Sequence, residues 1–304
     1  MATAPKITLN AQGPTLSRVV PGLMRLNEWG LSDSDLLGWI KACLDMGVTT
    51  FDHADIYGGY TCEGVFGRAL ALEPSLREKM QIVTKCGIGL ISENRPENTV
   101  KHYNTSHDYI INSVETSLRN LHTETIDLLL IHRPDPLLDA DEIAATFQEL
   151  ERSGKVRYFG VSNFTPAQYD LLRSRLNRPL VTNQVEFSLL HMDPIHDGTF
   201  DQLQQLRTAP MVWSPLGGGG IFRPYDERTQ RLNTVLSEVA GELDGAGLDQ
   251  VAIAWLVQHP VQAIPVLGTG KIERIQAAVN ALDLPMTRQQ WFRIWQASAG
   301  HEVP

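Results

Sequence analysis

A carboxylate, an imidazole and a phenol fall within one short stretch, Thr49-Thr50-Phe51-Asp52-His53-Ala54-Asp55-Ile56-Tyr57-Gly58-Gly59. Val48 to Phe51 are β-formers and Gly58-Gly59 supplies turn freedom, so the stretch reads as a buried strand opening into a polar loop. Further along, Lys85 nearly closes the apolar run that starts at Ile82, and His132 follows the run Ile126-Asp127-Leu128-Leu129-Leu130-Ile131. These four types suit proton transfer to a carbonyl oxygen. A buried ammonium needs a counter-charge, which makes Asp52 the natural partner of Lys85. The ammonium is then expected to lower the pKa of the Tyr57 phenol from its usual ~10 towards the working range, so that Tyr57 serves as a general acid. His132 would orient or polarise the carbonyl oxygen beside it.

Composition bounds the setting. The chain has 304 residues with 42% hydrophobic, enough for one large core, and a formal charge of -9, which disfavours nucleic-acid and anionic-membrane surfaces. The opening residues lead into no signal-peptide core, no segment stays apolar long enough to cross a bilayer, and Cys43, Cys62 and Cys86 form no CxxC pair. A cytoplasmic protein without a structural metal is expected.

The elements that must position these groups alternate. Apolar residues at helical spacing predict helices over 33–46, 63–72, 110–121, 143–150, 165–176, 200–206, 229–241, 249–258 and 271–282, with a terminal helix from Thr287. Thr165-Pro166-Ala167-Gln168 is a capping box with proline at the first helical position, and Thr287 with Gln290 repeats the box. Between the helices, β-rich runs predict strands at 48–51, 81–86, 126–131, 156–161, 180–186, 210–213 and 261–267, with a short run at 17–22 before the first helix. Residues 87–106 read as a long irregular loop and Gly217 to Gly220 as a flexible one, and 87–106 with 217–228 are expected to wall the cavity.

About eight strand-then-helix units, each strand apolar enough to be covered on both faces, predict an α/β fold: a single-domain (β/α)₈ TIM barrel over 1–304 with a C-terminal helical tail. A doubly wound sheet would place GxGxxG or a Walker motif after its first strand, and neither is there. In a barrel, reactive groups come from the carboxyl ends of different strands, where Asp52, Lys85, His132, Asn163, Gln184 and Trp213 all fall. Alternation puts Lys85 on one face with Val83, and His132 with Leu128 and Leu130. Lys271 and Arg274, one turn apart at a helix start, favour an anion.

Asp52-x-Ala54-x-x-Tyr57-Gly58, Lys85, His132, Gly160-Val161-Ser162-Asn163-Phe164 and Trp213-Ser214-Pro215-Leu216-Gly217 together resemble the aldo-keto reductase superfamily over essentially the whole chain. The resemblance implies NADPH-dependent reduction of a small-molecule carbonyl compound, with Asp52, Tyr57, Lys85 and His132 as the tetrad. It also implies that Ser162, Asn163 and Gln184 bind the nicotinamide carboxamide, that Trp213 stacks on its ring, and that Ser214, Leu216 and Gly217 line the pyrophosphate. Gly268, Thr269, Lys271 and Arg274 would hold the adenosine 2′-phosphate. Against the family pattern, His53 stands where many members carry a small hydroxyl residue, Trp213 replaces the commoner tyrosine, and Ala277 and Ala278 occupy positions that often carry an acid and an amide. Two other functions share this fold: a nucleotide-binding regulatory subunit, and an aldolase using a Schiff base on Lys85. A monomer or weak oligomer is expected.

Overall fold

The computed structural model describes residues 2–304. A hairpin of β1 (Lys6–Thr8) and β2 (Thr15–Ser17) precedes a barrel whose strands are β3 (Val20–Pro21), β4 (Thr50–Asp52), β5 (Gln81–Cys86), β8 (Ile126–Ile131), β9 (Val156–Ser162), β10 (Asn183–Glu186), β11 (Met211–Trp213) and β12 (Ile264–Leu267). The short β6 (Ile88–Gly89) and β7 (His102–Tyr103) form a separate antiparallel pair. The eight barrel strands run parallel in the order β3-β12-β11-β10-β9-β8-β5-β4. Closure is made by a single parallel bridge, Gly22 to Asp52, with Leu23 N–H donating to the Asp52 carbonyl at 2.9 Å. The barrel therefore closes on the carboxylate-bearing residue itself.

Helices cover the outside: α1 (Asp33–Asp45), α2 (Cys62–Ala71), α3 (His107–Asn120), α4 (Ala140–Arg152), α5 (Pro166–Arg173), α6 (Asp193–His196), α7 (Thr199–Gln205), α8 (Glu227–Glu242), α9 (Leu248–Val257), α10 (Ile272–Asn280) and α11 (Arg288–Ala299). Both capping boxes form as the sequence predicts, at Thr165/Gln168 and Thr287/Gln290, and a third forms at Asp226/Thr229. α1 is capped by the Ser32 hydroxyl and ends before Gly47, which takes φ 74°. α11 is pinned by Trp291, whose ring stacks 4.9 Å from that of Trp255. Each indole N–H donates to the other residue's backbone carbonyl, at 3.1 and 2.9 Å.

Inside the barrel, Val83, Leu128, Leu130, Met211, Ile264 and Val266 pack into one buried cluster, and the hairpin adds Leu9 and Leu16 to it as a floor. Among the described residues the bottom is filled by side chains, and the barrel opens into a groove at the carboxyl ends.

Several elements differ from the sequence reading. Residues 87–106 are not irregular throughout, because Ile88 pairs with Tyr103 and Gly89 with His102. Gly217 to Gly220 belongs to a 3-10 turn, Gly217–Phe222, in which Gly217, Gly218 and Gly219 take φ of 56°, 61° and 88°. The glycines there serve a fixed left-handed path that side chains resist. The last strand starts at Ile264 and not at Val261, because His259-Pro260 begins a turn that runs through Gln262 at φ 61°. Lys271 is the cap residue of α10 and lies just outside the helix.

α2 and α3 approach closely at Gly67, where a methyl group would run into the Asn120 carbonyl oxygen. Gly67→Ala is therefore expected to destabilise the fold by about 1–3 kcal/mol despite its better helix propensity, because a backbone carbonyl cannot yield as a side chain can. Urea unfolding would check this, and a stability equal to or above wild type would show that the two helices can part freely.

Candidate active site

Lys85 and Asp52 come together by register. Asp52 pairs with Val83 across β4 and β5, and past the strand end His53 N–H donates to Val83 and Asp55 N–H to the Lys85 carbonyl. The Lys85 Nζ lies 2.8 and 2.7 Å from the two Asp52 carboxylate oxygens, 2.8 Å from the His53 carbonyl and 3.3 Å from the Tyr57 hydroxyl. Both Lys85 and Asp52 are 1% exposed. Gln184 supports the pair from the opposite wall, its amide nitrogen donating to Asp52 Oδ1 at 2.8 Å. Burial alone lowers the Lys85 pKa, but Asp52 and then Tyr57 outweigh it, and the ammonium is held above its usual value.

The Tyr57 phenol does not behave as the sequence suggests. Burial raises its pKa, Lys85 pulls it down, and the Asp52 carboxylate pushes it up again, so the net direction is upward. The ammonium is close, but its charge is already largely answered by Asp52. His132 packs edge-on to Tyr57 with ring centroids 6.0 Å apart. Its backbone N–H donates to the Cys86 carbonyl at 2.8 Å, and its Nδ1 is buried without a partner among the described residues. Burial first, then Lys85, Arg133 and Lys101, hold the imidazole well below its ordinary pKa, so it is neutral.

These groups floor a groove of about 1120 Å³. Asp52, Tyr57, His132, Ser162, Asn163, Gln184, Trp213, Ser214, Leu216, Gly268, Thr269 and Arg274 line it, while Lys85 lies beneath Tyr57, and Gly217 and Lys271 are not on its wall. Asn163 links the two walls: its amide nitrogen donates to Ser162 Oγ at 2.8 Å and its oxygen accepts from the Trp213 indole at 3.0 Å. It takes φ 60°, a left-handed conformation in which asparagine is enriched. Trp213 thus has a fixed plane. At the far end, Thr269 and Arg274 sit beside the N-terminus of α10, and neither Arg274 nor Lys271 has a carboxylate partner among the described residues. An aromatic face, a rank of amide and hydroxyl groups and an unpaired cation at a helix start fit a dinucleotide.

The walls come from the two segments singled out in the sequence: Ile88, Leu90, Lys101 and Tyr103 from one, Gly218, Gly219, Phe222 and Arg223 from the other. Residues that the sequence reading missed include Met24 and Arg25 after β3 and Arg133 after β8. Arg133 was the more legible, since it directly follows a strand-end histidine. Asp55 faces away, into a second polar cavity of about 390 Å³ shared with Glu63, and burial raises both carboxyl pKa values. Cys86 is buried, and burial pushes its thiol up.

A parallel barrel that holds an Asp–Lys–Tyr constellation and a neutral histidine at its carboxyl face defines an oxidoreductase-type barrel, and comparison with known proteins agrees. The profile described as "Aldo/keto reductase family" matches residues 18–299. The chain belongs to the aldo/keto reductase family, whose members use nicotinamide cofactors and act on small molecules. It is 56% identical to Oxidoreductase YdhF of Escherichia coli (strain K12), covering 98% of this chain and 99% of that one. It is 46% identical to a 6-dehydroglucose reductase of Agrobacterium fabrum, covering 95% and 96% respectively. Among solved structures, the glycerol dehydrogenase AKR11B4 from Gluconobacter oxydans superposes with a TM-score of 0.84 at 26% identity, over 98% of this chain and 97% of that one. Among the described residues, no helix is long and apolar enough to cross a membrane.

His53 offers a test of the site's electrostatics. It is fully buried against Phe66 with ring centroids 4.6 Å apart, neither ring nitrogen has a partner among the described residues, and burial, then Lys85, pushes its pKa down to about 3. The unfolded chain takes up this proton near pH ~6.5, the folded one only near 3, so the stability this neutral ring contributes is complete above ~6.5 and is lost as pH falls. The raised carboxyls of Asp55 and Glu63 act with the opposite sign but are common to wild type and a His53 variant. Between pH 6.5 and 4.5, wild type is expected to lose about 1.4 kcal/mol per pH unit more than His53→Gln. Parallel stability curves from urea titrations would show that His53 titrates normally in the folded state.

Proposed function

We propose that this chain is an NADPH-dependent oxidoreductase that reduces aldehydes or ketones to alcohols. The observation that carries this reading is the Lys85 ammonium, clamped by Asp52 and in reach of the Tyr57 hydroxyl at the floor of a dinucleotide-sized groove. When bound, the reduced nicotinamide supplies the hydride. Tyr57 gives its hydroxyl proton to the carbonyl oxygen as negative charge develops there, and the electron pair of the broken O–H bond stays on a phenolate that Lys85 stabilises. His132, being neutral, can donate a hydrogen bond to the same oxygen without adding charge. Asp52 and Gln184 keep the ammonium charged and in place.

Ser162, Asn163 and Gln184 would hold the carboxamide, with Trp213 as stacking face, Ser214, Leu216 and Gly217 along the pyrophosphate, and Gly268, Thr269, Lys271 and Arg274 at the 2′-phosphate. The two relatives named 6-dehydroglucose reductase support sugar aldehydes as early choices in a substrate screen. A Schiff-base reading is disfavoured by the charged Lys85, since an aldolase lysine must lose its proton to attack. Buried, unpaired cysteines fit a cytoplasmic setting.

Tyr57→Phe is expected to cut carbonyl reduction by about 10²-fold or more while leaving NADPH affinity nearly unchanged, because the phenol acts only as the alkoxide forms. NADPH oxidation over a panel of aldehydes, ketones and quinones measures it. Turnover within about tenfold of wild type would remove Tyr57 as proton donor. A protein that binds NADPH and reduces nothing in the panel would favour the regulatory reading.

A preference for NADPH over NADH is also expected. Charge-assisted hydrogen bonds are worth ~1.5–3 kcal/mol each, so Lys271 and Arg274 at a helix start could together give ~10²-fold discrimination, less where salt screens it. Replacing both with neutral residues should weaken NADPH binding and spare NADH binding, as read by Trp213 fluorescence. An equal loss for both cofactors would mean that the pair supports only the helix.

A further inference from the structure

The groove has two halves and cations line both, Arg223 and Arg274 with the groups assigned to the cofactor, and Arg25, Lys101 and Arg133 on the other. On the side of β9 to β12 lie the groups assigned to the cofactor, and on the side of β3, β4, β5 and β8, beyond Tyr57 and His132, lie Lys101 and Arg133. Neither takes part in an ion pair among the described residues. The carboxylates on the groove wall cannot answer them: Asp52 is committed to Lys85 and Gln184, and Asp249 belongs to α9 on the other half. Arg133 is half-buried, with its guanidinium carbon 5.7 Å from the centre of the Trp213 ring, so its fork lies against the indole at the groove wall. Both cations lie on the same groove wall as His132 and, after burial and Lys85, help to keep its ring neutral. A chain with net charge -9 does not gather uncompensated cations at one spot by composition alone.

We propose that the natural carbonyl substrate carries an anionic oxyanion group, a carboxylate or a phosphate, gripped by the planar fork of Arg133 and the ammonium of Lys101 while its carbonyl faces Tyr57 and His132. This rests on the carbonyl-reductase reading and narrows it. An arginine fork matches a carboxylate or phosphate edge in two parallel hydrogen bonds, and salt screens the half-buried Arg133 less than the exposed Lys101.

The test uses matched pairs that differ in charge. With the NADP⁺-loaded protein, 4-carboxybenzyl alcohol and 4-methylbenzyl alcohol are compared by calorimetry; with NADPH, the corresponding aldehydes are compared by kcat/KM. Wild type is expected to favour the carboxylate member by at least about tenfold in both assays, as one charge-assisted bond implies. The ratio should fall towards one in Arg133→Gln and in Lys101→Met, and Arg133→Lys should restore only part of it, because a point charge cannot reproduce the fork. 4-Phosphonobenzyl alcohol in the binding arm separates a phosphate-type site from a carboxylate one. A wild-type ratio near one, or a ratio that the two variants leave untouched, overturns the anion site. Tight carboxylate binding with no aldehyde turnover supports the anion site and defeats carbonyl reduction, so the two readings fail separately.

Discussion

The buried ion pair between Lys85 and Asp52 is the constraint on which the rest of this molecule depends. Two charges that are each 1% exposed would be prohibitively costly if either stood alone, and breaking such a pair typically costs about 3–5 kcal/mol. Every group around it answers part of that cost. Lys85 spends its protons on both Asp52 oxygens, on the His53 carbonyl and on Tyr57, and Gln184 donates to Asp52 from across the barrel. The same Asp52 contributes its backbone carbonyl to the bridge that closes the sheet. Closure and chemistry therefore share one residue, and a register slip of β4 would undo both.

The sequence made this centre legible because strand parity is a hard rule. With period two, Lys85 must share a face with Val83, and His132 with Leu128 and Leu130, and the buried interior cluster contains those apolar residues. Capping boxes were legible for a similar reason, since a hydroxyl and an amide three residues apart satisfy backbone donors whatever else the chain does. Strand ends were less legible. A run such as Val261-Gln262-Ala263 looks like strand by composition, yet the preceding His259-Pro260 forces a turn. The floor hairpin was missed because three-residue strands carry too few alternations to register as a pattern, although their Leu9 and Leu16 seal the barrel.

What sequence could not supply was the balance among interactions once several groups are buried together. An ammonium next to a phenol suggests a lowered pKa, and Lys85 does exert that pull. Burial, the larger effect, penalises the phenolate first, and the Asp52 carboxylate offsets part of the Lys85 pull. Pairwise reasoning from types and spacing sees only the attraction. The same holds for Gln184, which the family resemblance marks as a ligand for the carboxamide but which also commits its amide nitrogen to Asp52.

The upward direction of the Tyr57 pKa suits the proposed role better than the lowered value would. A general acid must hold its proton until the transition state, and a phenol acidified in the resting site would already be part phenolate at neutral pH. What the reaction requires is that the phenolate be stabilised at the moment it forms. In the resting site the Lys85 charge is balanced by Asp52, so the phenol gains little from it. As the proton leaves for the carbonyl oxygen, negative charge appears 3.3 Å from an ammonium already fixed by three other acceptors, in a place where water does not compete. No reorganisation is needed then, because the cost of placing that ammonium was met on folding. The neutral His132 completes the same logic: a cationic imidazole beside Lys85 would repel it, whereas a neutral one can donate to the developing oxyanion at no electrostatic cost to its neighbour.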